Sequence, residues 1–169
     1  MIFVENPINY KHMIEIRIHG RGGQGGVTLA KILATAHHLE GQSVQAFGIY
    51  AAERSGAPLL AFLRYDDQPI HNPNQIYEPD HIVVLDPTLI STGITSGLKP
   101  GGLILLNSDR SPESFSTEEQ FSAFRIATVD ATAIAVENIL GTKSVPIVNT
   151  ALAGATARLL GMDLQAVLN

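Results

Sequence analysis

Read for polarity alone, the chain switches between two rhythms. Residues 14–18 (IEIRI) alternate strictly between apolar and polar, the period of a half-buried strand, and run into a cluster of glycines. From 27 to 39 the rhythm changes: Val27, Ala30, Leu33 and Ala34, and farther on His37 and His38, recur at helical spacing, with Gly41 placed as a C-terminal cap. Residues 44–47 predict a second strand, and short apolar runs at 59–63, 81–85, 103–106 and 126–129 predict four more. Between them lie turn formers: a polar loop at 50–58, a long aperiodic stretch at 65–79 that is expected to serve function, and the tight turn Lys99-Pro100-Gly101-Gly102. Asp86 is placed to cap a helix that begins at Pro87, Ser116 to Glu119 has capping-box spacing, and Asp130 caps an alanine-rich helix over 131–140. A last helix, rich in small residues, covers 149–160.

Strands alternating with helices predict an α/β fold: a doubly wound, mainly parallel sheet with helices on both faces, a Rossmann-like three-layer sandwich. Ligands of such sheets bind outside the carboxyl ends of the strands, where His19, Gly48, Asp86, Asn107 and Asp130 fall. With 169 residues and no internal repeat, the chain reads as a single domain over 14–169 behind an extension, 1–13, that could strap onto a neighbour.

Composition narrows the chemistry. Apolar residues make up 45%, yet no run approaches the roughly 18 needed to span a bilayer, so a surface buried only in an assembly is expected and a membrane span is not. A net charge of −5, with eleven scattered basic residues, argues against nucleic acid. There is no cysteine, which removes disulfides, thiolate metal sites, nucleophilic thiols and thiolate-held iron–sulfur clusters, and fits a cytoplasmic chain. No metal site of its own is expected.

The cluster HGRGGQGGV puts five glycines into the seven positions 20–26. Gly20, Gly22 and Gly25 satisfy Gly-x-Gly-x-x-Gly between a strand and a helix, the setting in which bare main-chain amides approach a pyrophosphate. A nicotinamide site would also place an acidic residue after the second strand, where this chain has Gln45-Ala46-Phe47-Gly48, and no Lys-Ser/Thr pair follows the glycines as in a phosphate loop. Two readings stay open: contact with an anion, aided by Arg21 and Lys31, or a purely structural turn. Glu53 to Pro58 divides the same way, into a self-satisfied turn or a loop whose Arg54 reaches a partner subunit or an anion.

Taken together, GRGGQGGVTLAKILA (20–34), ERSGAPLLAFLR (53–64), QIYEPDHIVVLDP (75–87) and LKPGGLILLNS (98–108) resemble, in order and spacing, the gamma subunit of pyruvate:ferredoxin oxidoreductase and related 2-oxoacid:ferredoxin oxidoreductases. The likeness runs from about residue 14 through the last helix, and the second motif is the more specific. It implies a component of a multi-subunit enzyme that decarboxylates a 2-oxoacid, pyruvate first and branched-chain oxoacids next, reduces ferredoxin and leaves the acyl group on coenzyme A. Thiamine diphosphate, magnesium and the iron–sulfur clusters would lie on alpha, beta and delta partner subunits. Gly22, Gly23, Gln24, Gly25, Gly26 and Lys31 would face the phosphates of coenzyme A, and Arg54 an anion or partner.

No catalytic residue is expected on this chain. His37 and His38 are adjacent, unlike a zinc pair at i, i+4, and read as surface or interface histidines; no Gly-x-Ser-x-Gly elbow surrounds any serine. A free-standing dinucleotide- or coenzyme-binding protein and a non-catalytic scaffold are the competing readings.

Overall fold

The computed structural model of the chain describes residues 13–50, 56–90, 93–142 and 144–168. All but Met13 of the sequence's leading extension falls outside them, as does Arg54. The elements are β1 (Ile14–Arg21), α1 (Gly26–Leu39), β2 (Ser43–Tyr50), β3 (Pro58–Asp66), β4 (His81–Val84), β5 (Leu103–Asn107), α2 (Glu113–Ser116), β6 (Arg125–Val129), α3 (Ala131–Glu137), α4 (Asn149–Leu160) and α5 (Leu164–Leu168), with 3-10 turns at Pro87–Leu89 and Glu119–Phe121.

The six strands form one sheet in the order β2-β3-β1-β4-β5-β6. β4 pairs in parallel with β1 and β5, and β5 with β6, whereas β3 runs antiparallel to both β1 and β2. Five strands therefore share one direction and β3 is reversed. The reason is chain length: the seven residues between β2 and β3 close a hairpin but are too few for the crossover that a parallel neighbour needs.

β4 and β5 are largely apolar on both faces, as a covered parallel sheet requires, whereas β1 is apolar on one face and carries Glu15, Arg17 and His19 on the other. Ile14, Ile16, Ile18, Val83 and Leu105 join α1, α3, α4 and α5 in the larger core. Ile82, Val84, Ile104 and Leu106 point the other way, against Ile94, Leu98, Phe115 and Phe121, whose rings meet edge to face at 5.9 Å. The two layers are unequal: the second is built from α2, 3-10 turns and loop.

Some local expectations are corrected. Asp86 caps only a 3-10 turn: its side chain accepts from the Thr88 amide and Pro87 is the first residue of the turn. Ser116 ends α2 and turns its hydroxyl back to the Pro112 carbonyl, so no capping box forms at Glu119. The alanine-rich helix stops at Glu137 rather than 140, although Asp130 does cap it, accepting from the Ala133 amide at 2.8 Å. His37 is 3% exposed and stacks on Tyr65 at 3.6 Å, so it is a core residue; it continues the Leu29, Leu33 row by one more turn.

Beneath the 67–80 loop, β1 and β3 carry an ionic layer. Arg64, 1% exposed, donates through Nε to Glu15 Oε1 at 2.6 Å and through Nη1 to the Asn72 carbonyl at 3.1 Å. Lys99 pairs with Asp80 at 2.9 Å, and Asp80 accepts from the Glu15 amide. Removing one member strands a buried charge, whereas removing both need not. Glu15→Leu is expected to lower stability by about 2 kcal/mol, and Arg64→Met in that background to recover part of the loss. Denaturant titration of the three variants checks it, and simple additivity would refute it.

Candidate functional site

β1 delivers the chain to the glycine cluster at the end of the sheet where five strands finish. The ladder continues one step past the strand: the Gly22 amide donates to the Ala57 carbonyl at 2.9 Å, and the Gly56 amide to the Gly22 carbonyl at 3.0 Å. The Gln24 amide then closes a turn on the Arg21 carbonyl at 3.1 Å, and Gly25, at φ +80°, becomes the N-cap of α1. A side chain is excluded there twice over. The dihedral is left-handed, and a Cβ at Gly25 would stand 2.5 Å from Asn149 Nδ2 on α4. At Gly26 a Cβ would stand 2.9 Å from Leu59 Cδ2. These two glycines thus let α1 seat against α4 and β3.

Because Gly25 offers no side-chain cap and the first turn of α1 holds no acidic residue, the opening amides of the helix keep their partial positive charge directed outward. They face a recess of about 280 Å³ lined by Arg21, Gly22, Gly23, Gly25, Gly26, Val27, Thr28 and Leu59. Lys31 is exposed and lines a neighbouring groove of about 260 Å³ with Thr28, Ile32, Thr35, Ala166 and Val167. Thr28 borders both spaces, so Lys31 stands beside the glycine recess rather than in it.

Gln24 is turned away. Its Oε1 accepts from the Arg21 amide at 2.8 Å and its Nε2 donates to Asp86 Oδ2 at 2.9 Å. Arg21 reaches the same oxygen with Nε at 3.1 Å, and its other nitrogens donate to the Gly56 carbonyl and the Thr88 hydroxyl. Asp86 Oδ1 in turn accepts from the amide and hydroxyl of Thr88 at 2.9 and 2.6 Å. Burial by itself would raise the Asp86 carboxyl, but the Thr88 and Gln24 hydrogen bonds and the Arg21 charge outweigh it and hold the group below its ordinary range. Asp86, Gln24 and Arg21 form a clamp under the loop, tying the ends of β1 and β4 together across more than 60 residues. Nothing local marks such a contact; the one signal in the sequence is that Asp86, like Arg21, ends a strand.

The other strand-end positions are engaged in the fold. Asn107 donates to the Leu85 carbonyl at 2.8 Å and accepts from the Thr132 amide, joining β4, β5 and α3. Asn149 is buried at 6% exposure, its Oδ1 unpaired and its amide against Gly25; the sequence placed it only as a helix start. Among the described residues no three His, Asp or Glu side chains converge as a metal site requires, and no helix is long and apolar enough to cross a membrane. Among the described residues around the recess, the carboxylate of Asp86 is engaged by four donor groups and held below its ordinary range. Outward-facing amides at a helix start form the kind of surface that favours an anion.

Fold and recess together define a class, an α/β chain with a main-chain recess at the start of its first helix. The sequence from 15 to 169 matches the model of the pyruvate ferredoxin/flavodoxin oxidoreductase family, and the chain belongs to that family. It is 52% identical over 151 residues to the common subunit gamma of the pyruvate/ketoisovalerate oxidoreductases of Thermococcus kodakarensis, an alignment that covers 89% of this chain and 80% of that one. The crystal structure of a pyruvate oxidoreductase subunit, PORC, from Thermotoga maritima superposes with a TM-score of 0.79 at 39% identity, covering 93% and 82% of the two chains. The 2-oxoglutarate:ferredoxin oxidoreductase of Magnetococcus marinus, solved with coenzyme A and succinyl-CoA bound, shares the fold at a TM-score of 0.73 and 19% identity; the match covers 94% of this chain but only 26% of that one.

Proposed function

We propose that the chain is the gamma subunit of a 2-oxoacid:ferredoxin oxidoreductase acting on pyruvate, and that its glycine recess holds the phosphate end of coenzyme A. The observation that carries the second part is the clamp: it turns Asp86, the one carboxylate near the recess among the described residues, inward, leaving main-chain amides, the Thr28 side and one face of Arg21 toward the opening. A diphosphate is the anion such a surface suits, since several amides can each donate to it and the helix start favours its charge. Lys31, one helical turn on, adds a cation from the side, and Arg54 is a second cation of the same proposal. The chain has no cysteine, so iron–sulfur clusters are assigned to alpha, beta and delta partners, with thiamine diphosphate and magnesium. In this reading the subunit presents coenzyme A in the cytoplasm to chemistry carried out on its neighbours.

In the assembled enzyme, Lys31→Ala is expected to raise the KM for coenzyme A roughly fivefold and to leave the KM for pyruvate unchanged, as loss of one charged contact would. Steady-state kinetics with each substrate varied in turn decides it. The contacts that Asn149 and Leu59 make at Gly25 and Gly26 favour the other reading, in which the glycines serve packing alone; that reading predicts that neither KM moves.

A further inference from the structure

α1 and α3 end in the same way. At α1, the Gly41 amide donates to the His38 carbonyl and the Gln42 amide to the His37 carbonyl, both at 3.0 Å, with Gly41 left-handed at φ +89°. At α3, the Ile139 amide donates to the Val136 carbonyl at 3.2 Å and the Leu140 amide to the Ala135 carbonyl at 2.8 Å, the same paired closure. The left-handed position is here an isoleucine, at φ +57°, the single non-glycine residue with positive φ among those described. A β-branched side chain in that conformation is strained, and no burial offsets it, since Ile139 is 87% exposed.

Ile139 also does not stand alone. Val136, at the end of α3, and Leu140, Val145 and Ile147 are between 37% and 52% exposed, and the hairpin that holds the last three is closed by the Ile147 amide on the Leu140 carbonyl at 3.0 Å and a bridge between Gly141 and Pro146. In the sequence, residues 138–148 contain one charge, Lys143. An apolar projection with so few charges, held in a strained conformation and left uncovered by the described residues, has the character of a permanent interface.

We propose that the hairpin around Ile139 is the docking surface for another subunit of the oxidoreductase, the one whose active site uses the glycine recess. Position argues for that occupant over a second copy of this chain. Ile147 lies two residues before Asn149, whose amide packs on Gly25, so a chain seated on the hairpin stands beside the recess, where a subunit consuming a ligand held there has to be. The proposal rests on the reading of the chain as part of a hetero-oligomer, but not on which ligand the recess takes.

The test is affinity capture of the tagged full-length chain co-expressed with the other subunits of its own complex, alongside melting of the chain expressed alone. Ile139→Asn is expected to raise the Tm of the lone chain by about 3 °C, because asparagine tolerates the left-handed region, while the Kd for the partner subunits rises at least tenfold. Val145→Asp, in the exposed turn, is expected to weaken capture likewise with little change in Tm. Partner retention equal to wild type in both variants would overturn the proposal. So would variants that abolish self-association of the lone chain and leave the hetero-complex intact. Wild type that captures no partner subunit would overturn the hetero-oligomer reading along with it.

Discussion

Gly25→Ala is expected to destabilise the chain by about 3 kcal/mol, lowering the Tm of the full-length protein by about 10 °C. Two separate penalties add. Alanine at φ +80° loses roughly 1–2 kcal/mol to the left-handed conformation, and its Cβ, 2.5 Å from Asn149 Nδ2, forces α1 and α4 apart in a packed contact. The two can be separated, because only the second involves Asn149. Asn149→Ala alone should cost little, since the Oδ1 it removes has no partner. In the Gly25→Ala background it should restore the packing share, roughly half the loss, and leave the conformational share in place. Chemical denaturation of the four proteins gives the coupling directly. Strict additivity, or a cost for Gly25→Ala below 1 kcal/mol, would mean that the loop adapts and that the seat of α1 on α4 is not what requires glycine there.

That contact marks where legibility in the sequence stops. The glycine spacing announces a bare loop between a strand and a helix, and both are found, because a tight turn and a helix start depend on neighbours a few residues away. The positions Asp86, Asn107 and Asp130 at strand ends follow from strand periodicity alone, whereas His19, expected just past a strand, lies inside β1, which pairs with β3 as far as Arg21. What the glycines are against is another matter: Asn149 and Leu59 lie 124 and 33 residues beyond Gly25 and Gly26, and no local pattern links them. The Arg21, Gln24 and Asp86 clamp is hidden for the same reason, and Gln24, grouped with the ligand-facing residues by resemblance, spends its side chain on it.

Other differences were readable in principle. The seven residues between β2 and β3 already exclude a crossover helix, and hence a parallel pairing of direct neighbours. His37 stands one helical turn beyond Leu33, in the row that faces the sheet, so its place in the core follows from the same spacing that predicts α1. The early stop of α3 has a local cue in Asn138, a residue that favours helix ends and is the C-cap here. The left-handed turn that follows at Ile139 has none, since a β-branched residue disfavours it. Such a conflict between local preference and observed conformation is more informative about function than agreement is, because only a constraint outside the segment can maintain it.

Acid is expected to destabilise the lone chain well above the carboxylate range, by about 4 kcal/mol between pH 7 and pH 5. Two histidines on the sheet are responsible. Burial, and then the charge of Arg17, push His19 down to about 3; burial pushes His81 down to about 4, with nearby Asp80 opposing and Arg125 and Lys99 adding to it. Geometry agrees with both. His19 Nε2 accepts from Arg17 Nε at 3.0 Å, and His81 Nδ1 accepts from the Leu103 amide at 3.2 Å, so each ring uses a lone pair that a proton would remove. Each folded-state value lies below the unfolded value of about 6.5, so the unfolded chain takes up protons that the native chain refuses. Stability is therefore full above about pH 6.5 and falls as the pH drops toward 4 and 3, at about 1.4 kcal/mol per pH unit for each ring once the unfolded histidines are protonated. His37, lowered by burial against the opposing pull of Gln42 and Glu40, acts in the same direction. Asp86 does not contribute in this window, because a carboxyl held below its ordinary value loses its stabilising contribution only at still lower pH. His81→Asn and His19→Gln keep an acceptor near each lone pair without a titrating ring. Each should flatten the decline in Tm between pH 7 and pH 5 by nearly half, and the double variant should remove most of it. Curves that stay parallel to wild type would show that these rings are protonated in the native sheet.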